Sequence, residues 1–202
     1  MKKQYLIKRV DGAPAWDSVP YIEIDNARKE NPHGITARAQ ICYNDEAILV
    51  HLSTAEKDII AEHTGELGSP CNDSCLEFFF CPCENDGRYF NIEFNSNTCL
   101  FLGIGSGLHD LVRQAPGAQK ERIFAPSVIK DADGWEIFYR VPYEFIRRFF
   151  PDFAVFSGKK IFANCYKCAD KSDPPHYLTW NWLEGEALSF HNTKCFGQMV
   201  FE

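Results

Sequence analysis

Residues Asn72–Asn97 read NDSCLEFFFCPCENDGRYFNIEFNSN. Two apolar runs, Leu76–Cys81 and Tyr89–Phe94, flank a turn-rich middle. In the second run Phe90, Ile92 and Phe94 fall on one side. Tyr89, Asn91, Glu93 and Asn95 fall on the other. A period of two is that of a half-buried strand. The first run sets Leu76, Phe78 and Phe80 against Glu77 and Phe79, and Pro82, Asn85, Asp86 and Gly87 between the runs supply turn chemistry. The stretch predicts a β-hairpin with one dry face and one face carrying carboxylates and amides. That second face is the first candidate for a site.

Outward from this hairpin the same logic recurs. Ile35–Tyr43 alternates as a strand, Asn44-Asp45-Glu46 is a turn, and Ala47–Ser53 is the return strand. Cys99–Ile104, Ile123–Ile129, Gly134–Val141, Lys160–Cys168, Tyr177–Trp182 and Phe196–Phe201 also have strand character. Pro142–Phe150 is the one helix: Pro lies in its first turn, Phe145, Ile146 and Phe149 make an apolar stripe, and Pro151 ends it. Residues 1–34 are polar and loop-like, with turns at Asp11-Gly12, Pro14, Pro20 and Pro32. Glu56–Thr64 and Leu108–Gln119 fit no single element. Short strands with Gly, Pro and Asn turns and almost no helix predict an all-β sandwich of one domain, residues 1–202.

Composition narrows the function. The chain has 202 residues, 45% of them hydrophobic, enough for a full core. A formal charge of −7 and the lack of a Lys/Arg-rich run argue against nucleic acid as partner. Tyr5–Ile7 is too short for the apolar part of a signal peptide, and nothing later approaches a membrane span. The expectation is a cytoplasmic protein, or an extracellular or periplasmic one if the start has been trimmed. Nine Cys without a signal predict buried, reduced thiols rather than a disulfide framework.

Several constellations carry chemistry. Glu77, Asn91, Glu93 and Asn95 suit sugar hydroxyls, which both donate and accept hydrogen bonds; the competing reading is a solvated sheet face. Glu77 and Glu93 also form a carboxylate pair of the sort glycosidases place across a cleft. Trp180 and Trp182 stand in HYLTWNWLEG, where an indole could stack on a sugar ring or pack inward. Trp16 and Trp135 are assigned to the core. Cys165-x-x-Cys168 lies on a strand, so its two thiols point to opposite faces and do not make a zinc knuckle. Gly103-x-Gly105-x-Gly107 lacks the Lys and the following helix of a phosphate loop.

Taken in order, Trp16, Ala37–Tyr43, Asn72-Asp73-Ser74-Cys75-Leu76-Glu77-Phe78-Phe79, Tyr89–Asn95, Trp135-Glu136-Ile137, Val141-Pro142-Tyr143, Asn164–Cys168, His176–Asn181 and Phe196–Phe201 resemble carbohydrate-binding module family 9 and its family 9-like, DOMON-related relatives. The resemblance covers nearly the whole chain. It implies an immunoglobulin-like β-sandwich of two antiparallel sheets. It also implies non-catalytic binding of glycan or oligosaccharide ends between two aromatic rings, in the setting of polysaccharide catabolism. One ring carries over to Trp180, and the acidic and amide contacts to Glu77 and Asn95. The second ring's place falls near Cys71, leaving Trp182 or Tyr177 as substitutes, with Arg140 a further contact if it shares the face. The family also implies structural calcium, for which Asp73 and Asp86 are the candidate ligands. Two alternatives stand beside this reading: a glycoside hydrolase using Glu77 and Glu93, and a structural or interaction sandwich without a ligand.

Overall fold

The computed structural model describes residues 2–31, 33–185 and 189–202. Pro32, one of the expected turn residues, lies outside the described residues. The strands are β1 (Gln4–Arg9), β2 (Ile22–Ile24), β3 (Asn26–Ala27), β4 (Thr36–Tyr43), β5 (Ala47–Ala55), β6 (Cys75–Cys81), β7 (Tyr89–Asn95), β8 (Leu100–Gly105), β9 (Val112–Gln114), β10 (Ser127–Lys130), β11 (Gly134–Pro142), β12 (Lys160–Ala169), β13 (His176–Thr179) and β14 (Gly197–Phe201). Two short helices, α1 (Lys120–Phe124) and α2 (Tyr143–Arg147), complete the regular structure beside a few single 3-10 turns.

Hydrogen bonding runs in the order β10-β11-β5-β4-β1-β14-β12-β6-β7-β8-β9, with β2 on β4 and the pair β13–β3 attached to β12. The sheet curls until its two halves face each other. Phe94 of β7 and Tyr139 of β11, far apart in that order, bring their rings to 5.1 Å. The inner layer takes Leu76, Phe78 and Phe80 from β6, Phe90, Ile92 and Phe94 from β7, and Ile41, Val50, Leu52 and Ile137 from the opposite half. This is the dry face that alternation predicts.

The pairing departs from two antiparallel sheets at β1. It runs parallel to both β4 and β14 and so joins the halves into one mixed sheet. β1 is also the main correction to the expected N-terminal loop. Tyr5 and Ile7 are buried and alternate with exposed neighbours, but two buried residues between Lys3, Lys8 and Arg9 leave a weak sequence signal. Two further expectations are corrected. Ile123 and Phe124 end α1 rather than begin a strand, because Ala125 turns the chain with φ +44° and the strand starts only at Ser127. Trp16 is half-buried on the outside of the sheet, tilted against His51 at 5.3 Å, whereas Trp135 is in the core. Gly103 and Gly105 belong to β8. A Cβ at Gly103 would come within 2.8 Å of the Leu111 side chain, and one at Gly105 equally close to the Asp110 carbonyl, so both let the chain into β9 cross tightly.

Candidate ligand-binding site

Strand register decides which side chains meet on the outer face. Glu77 of β6 stands directly opposite Glu93 of β7, with Tyr166 of β12 on one flank and Phe101 of β8 on the other. The next row holds Tyr177, Cys168, Cys75 and Asn95. On the other side of the glutamates lie Asn164, Phe79, Asn91 and Gly103. Sequence alternation placed Glu77, Asn91, Glu93 and Asn95 on one face, and they share it.

That face is not solvated. Every residue of β6 and β7 is buried. The reason is a segment roughly a hundred positions later, which folds back over the sheet. Leu183, Cys195 and Phe196 pack with Phe79, Cys81, Tyr89 and Tyr166 into a second apolar cluster. Phe190 stacks on Tyr166 at 4.1 Å. The glutamates lie beside this cover, Glu77 at 2% and Glu93 at 6% exposure.

Two neighbouring carboxyl groups out of water cannot both ionise cheaply. Burial, and then the charge of Glu93, push Glu77 well above the usual carboxylate range. Burial raises Glu93 to about 7, against the pull of the Asn91 amide and the Arg113 cation. One oxygen of each glutamate, and the carbonyl oxygen of the Asn91 amide, have no hydrogen-bond partner within the protein. At neutral pH this floor can therefore offer both proton donors and acceptors. Its margins are mixed. Arg113 lies over the Phe101 ring at 4.5 Å and is held by the Glu66 and Gly68 carbonyls. On the other side Tyr177 is half-buried, with the Lys29 ammonium 4.8 Å from its ring centre; burial and the adjacent Asp170 raise its phenol.

The other predicted contacts lie elsewhere. Trp180 is 4% exposed and belongs to the main core, so it has no open ring face. Trp182 is the exposed indole, with the Arg28 guanidinium 4.9 Å from its ring centre. Arg140 is on β11, in the opposite half of the sheet. It donates to the carbonyls of Arg122 and Ile123 that end α1, and lines a hollow with Arg122, Arg147 and Arg148. It does not share the face of Glu77.

Asn95 is occupied as a brace. Its amide donates to the His63 carbonyl at 2.8 Å and to Asp73 at 2.7 Å, and its oxygen accepts from the backbone of Asn97 and Cys99. Asp73 in turn accepts from the His63 backbone at 2.8 Å and faces the His63 ring at 3.1 Å. Burial opposes its charge, but these donors outweigh it and hold its carboxyl below the usual range. Asp86, at the far end of the hairpin, is held by Arg88 at 2.6 Å. The two expected calcium ligands therefore do not meet. We expect Asp73→Ala to cost about 2–3 kcal/mol, because it strands several buried donors. A group with a depressed folded pKa stabilises above its unfolded pKa, so the deficit should be full at pH 7. It should shrink as pH falls below about 4, through the folded pKa of Asp73. Urea unfolding of both proteins across that window measures it; a deficit unchanged in acid would contradict the assignment.

Arg113, Asp170, Phe101 and Cys71 were not singled out from sequence as contacts on this face. Arg113 follows an irregular stretch, and only the pairing of β8 with β9 brings it here.

A family model described as carbohydrate-binding family 9 matches residues 14–201. No curated protein sequence matches. Among solved structures, a candidate carbohydrate-binding protein from Bacteroides uniformis superposes with a TM-score of 0.85 at 24% identity, covering 100% of both chains. A family 9 module from Caldicellulosiruptor kristjanssonii in complex with cellotriose gives 0.71 at 12% identity, over 99% of this chain and 94% of that one. The same organism's family 9 module in complex with glucose gives 0.70 at 12% identity, over 99% and 96%. At these identities the structures establish a shared fold. No helix among the described residues is long and apolar enough to cross a membrane.

Proposed function

Because this chain belongs to carbohydrate-binding family 9, we propose that it is a non-catalytic carbohydrate binder whose site is the outer face around Glu77 and Glu93. Glu93 and Arg113 bind hydroxyls at the edge of the cover. Asn91, fully buried, steadies Glu93 from beneath, and the half-buried rings of Tyr177 and Phe101 supply apolar margins. The observation that carries the reading is the row of buried carboxyl and amide atoms left without partners in the protein. Burying such atoms costs free energy unless something hydrogen-bonds them, and a sugar hydroxyl offers a donor and an acceptor together.

Glu93→Gln and Asn91→Ala are expected to weaken oligosaccharide binding about tenfold or more, the loss of roughly one good hydrogen bond to a buried partner. Calorimetry against a panel of mono- and oligosaccharides measures it. If the wild type binds nothing on the panel, the sandwich has no sugar ligand and serves structure or interaction. A second reading rests on the 54% exposure of Trp182: should Trp182→Ala abolish binding while the two floor variants keep it, the indole edge is the site instead. The hydrolase alternative fares less well on geometry. Glu77 and Glu93 are cross-strand neighbours on one floor, not groups facing each other over a sugar. No turnover of aryl glycosides is expected.

A further inference from the structure

Cys75, Glu77 and Cys168 come together for reasons of strand geometry. Cys75 and Glu77 are two apart on β6 and share its outer face. Cys168 is the register partner of Cys75 on β12. One ligand atom from each lies within 4.8 Å of the others, and the Cys168 thiol donates to Glu77 Oε1 at 3.0 Å. All three side chains are buried, at 0%, 2% and 2% exposure, and the second oxygen of Glu77 has no partner within the protein. Cys71 arrives from the 3-10 turn before β6. Its carbonyl is 3.7 Å from the Cys168 sulfur, while its thiol lies outside the 4.8 Å group.

We propose that Cys75, Cys168 and Glu77 bind a thiophilic divalent cation of the zinc class, its fourth position being taken by water. Two thiolates and a carboxylate form a donor set that zinc favours. The same set disfavours calcium and magnesium, which take oxygen ligands. A cation here would partner the unmatched Glu77 oxygen and offset the cost of burying that carboxyl group. Cys165, although it completes a Cys-x-x-Cys with Cys168, faces the main core instead and takes no part. The two sites adjoin at Glu77, which accepts from the Cys168 thiol; the direct sugar contacts are Glu93 and Arg113.

The test uses the full chain, purified under reductant, stripped with a chelator and then given zinc or cobalt(II) alone. Retention of about one zinc per chain after desalting is expected. Cobalt should give a thiolate-to-metal charge-transfer band, and zinc should raise the thermal midpoint. Cys75→Ser and Cys168→Ser should lose the metal, whereas Cys165→Ser should keep it. If a buried serine prevents folding, Cys75→Ala and Cys168→Ala remove the same ligands without burying a hydroxyl, and the wild-type cobalt spectrum still decides. The proposal falls if wild type retains no zinc or if cobalt shows no sulfur band. It also falls if Cys75→Ser and Cys168→Ser retain zinc like wild type, or if Cys75 and Cys168 of the stripped protein are found joined as a stable disulfide. Calorimetry with sugar on the same samples separates the two ideas: zinc retained without sugar binding removes only the functional reading, and sugar bound without zinc removes only this one.

Discussion

Trp180→Ala is expected to destabilise the protein by about 3–5 kcal/mol, the usual range for emptying a large aromatic site in a core. The indole is 4% exposed and packs in the main apolar cluster. Its backbone N–H donates to the Cys165 carbonyl at 3.0 Å, which fixes the chain just after β13. For a domain of this size, 1 kcal/mol moves the thermal midpoint by about 2–4 °C, so a fall of roughly 6–20 °C should be seen. Binding by the remaining folded protein should be nearly unchanged. Trp182→Ala, at an exposed position, should stay within about 0.5 kcal/mol of wild type. Thermal and urea unfolding of both variants, with sugar calorimetry below the transition, separate the roles. A stable Trp180→Ala that has lost only its sugar would return the indole to the binding face.

The contrast between the two tryptophans shows where sequence reasoning stopped. In an unbroken strand residues two apart share a face, so Trp180 and Trp182 would point the same way. β13 ends at Thr179. Trp180 keeps the inward direction of Leu178, while Trp182 leaves with the turn and meets Arg28. Alternation within the central hairpin was legible because each strand's period is local. It sorted Phe78, Phe90 and Ile92 from Glu77, Asn91 and Glu93 correctly. It could not show that the polar face is roofed, since the roof is made by Leu183, Phe190 and Phe196. Nor could spacing unite Cys75 and Cys168, because the second reaches the first only through the pairing of β12 with β6. Arg140 carried no mark of its sheet; only the pairing of β11 with β5 puts it away from Glu77.

Glu56→Ala is expected to cost about 3–5 kcal/mol, the cost of leaving a buried charge unpaired. Lys167 lies on the inward side of β12, fully buried, with its ammonium 3.1 Å from Glu56, 2.8 Å from His176 and 2.8 Å from the Cys168 carbonyl. Glu56 follows β5 in the opposite half of the sheet, so the cluster ties the two halves together across the end of the core. Deleting one partner and deleting both should therefore differ. Once Lys167 is gone, little remains for Glu56 to neutralise, and Lys167→Met/Glu56→Ala should cost no more than Glu56→Ala alone. Full recovery is not expected, because His176 would keep only its contact with Ser172 at 3.1 Å. The coupling between the sites should reach about 2–3 kcal/mol. Acid should reduce it. Burial opposes the Glu56 charge, but His176 and Lys167 outweigh it and hold the carboxyl below its usual range. The contribution is thus full above the unfolded pKa, about 4.3, and is lost as pH falls through the lower folded value. A double-mutant cycle by urea unfolding at pH 7 and below 4 measures both quantities. Single and double variants whose costs simply add would show that Lys167 and Glu56 are neighbours without being partners, and that the cluster adds nothing to the join between the two halves.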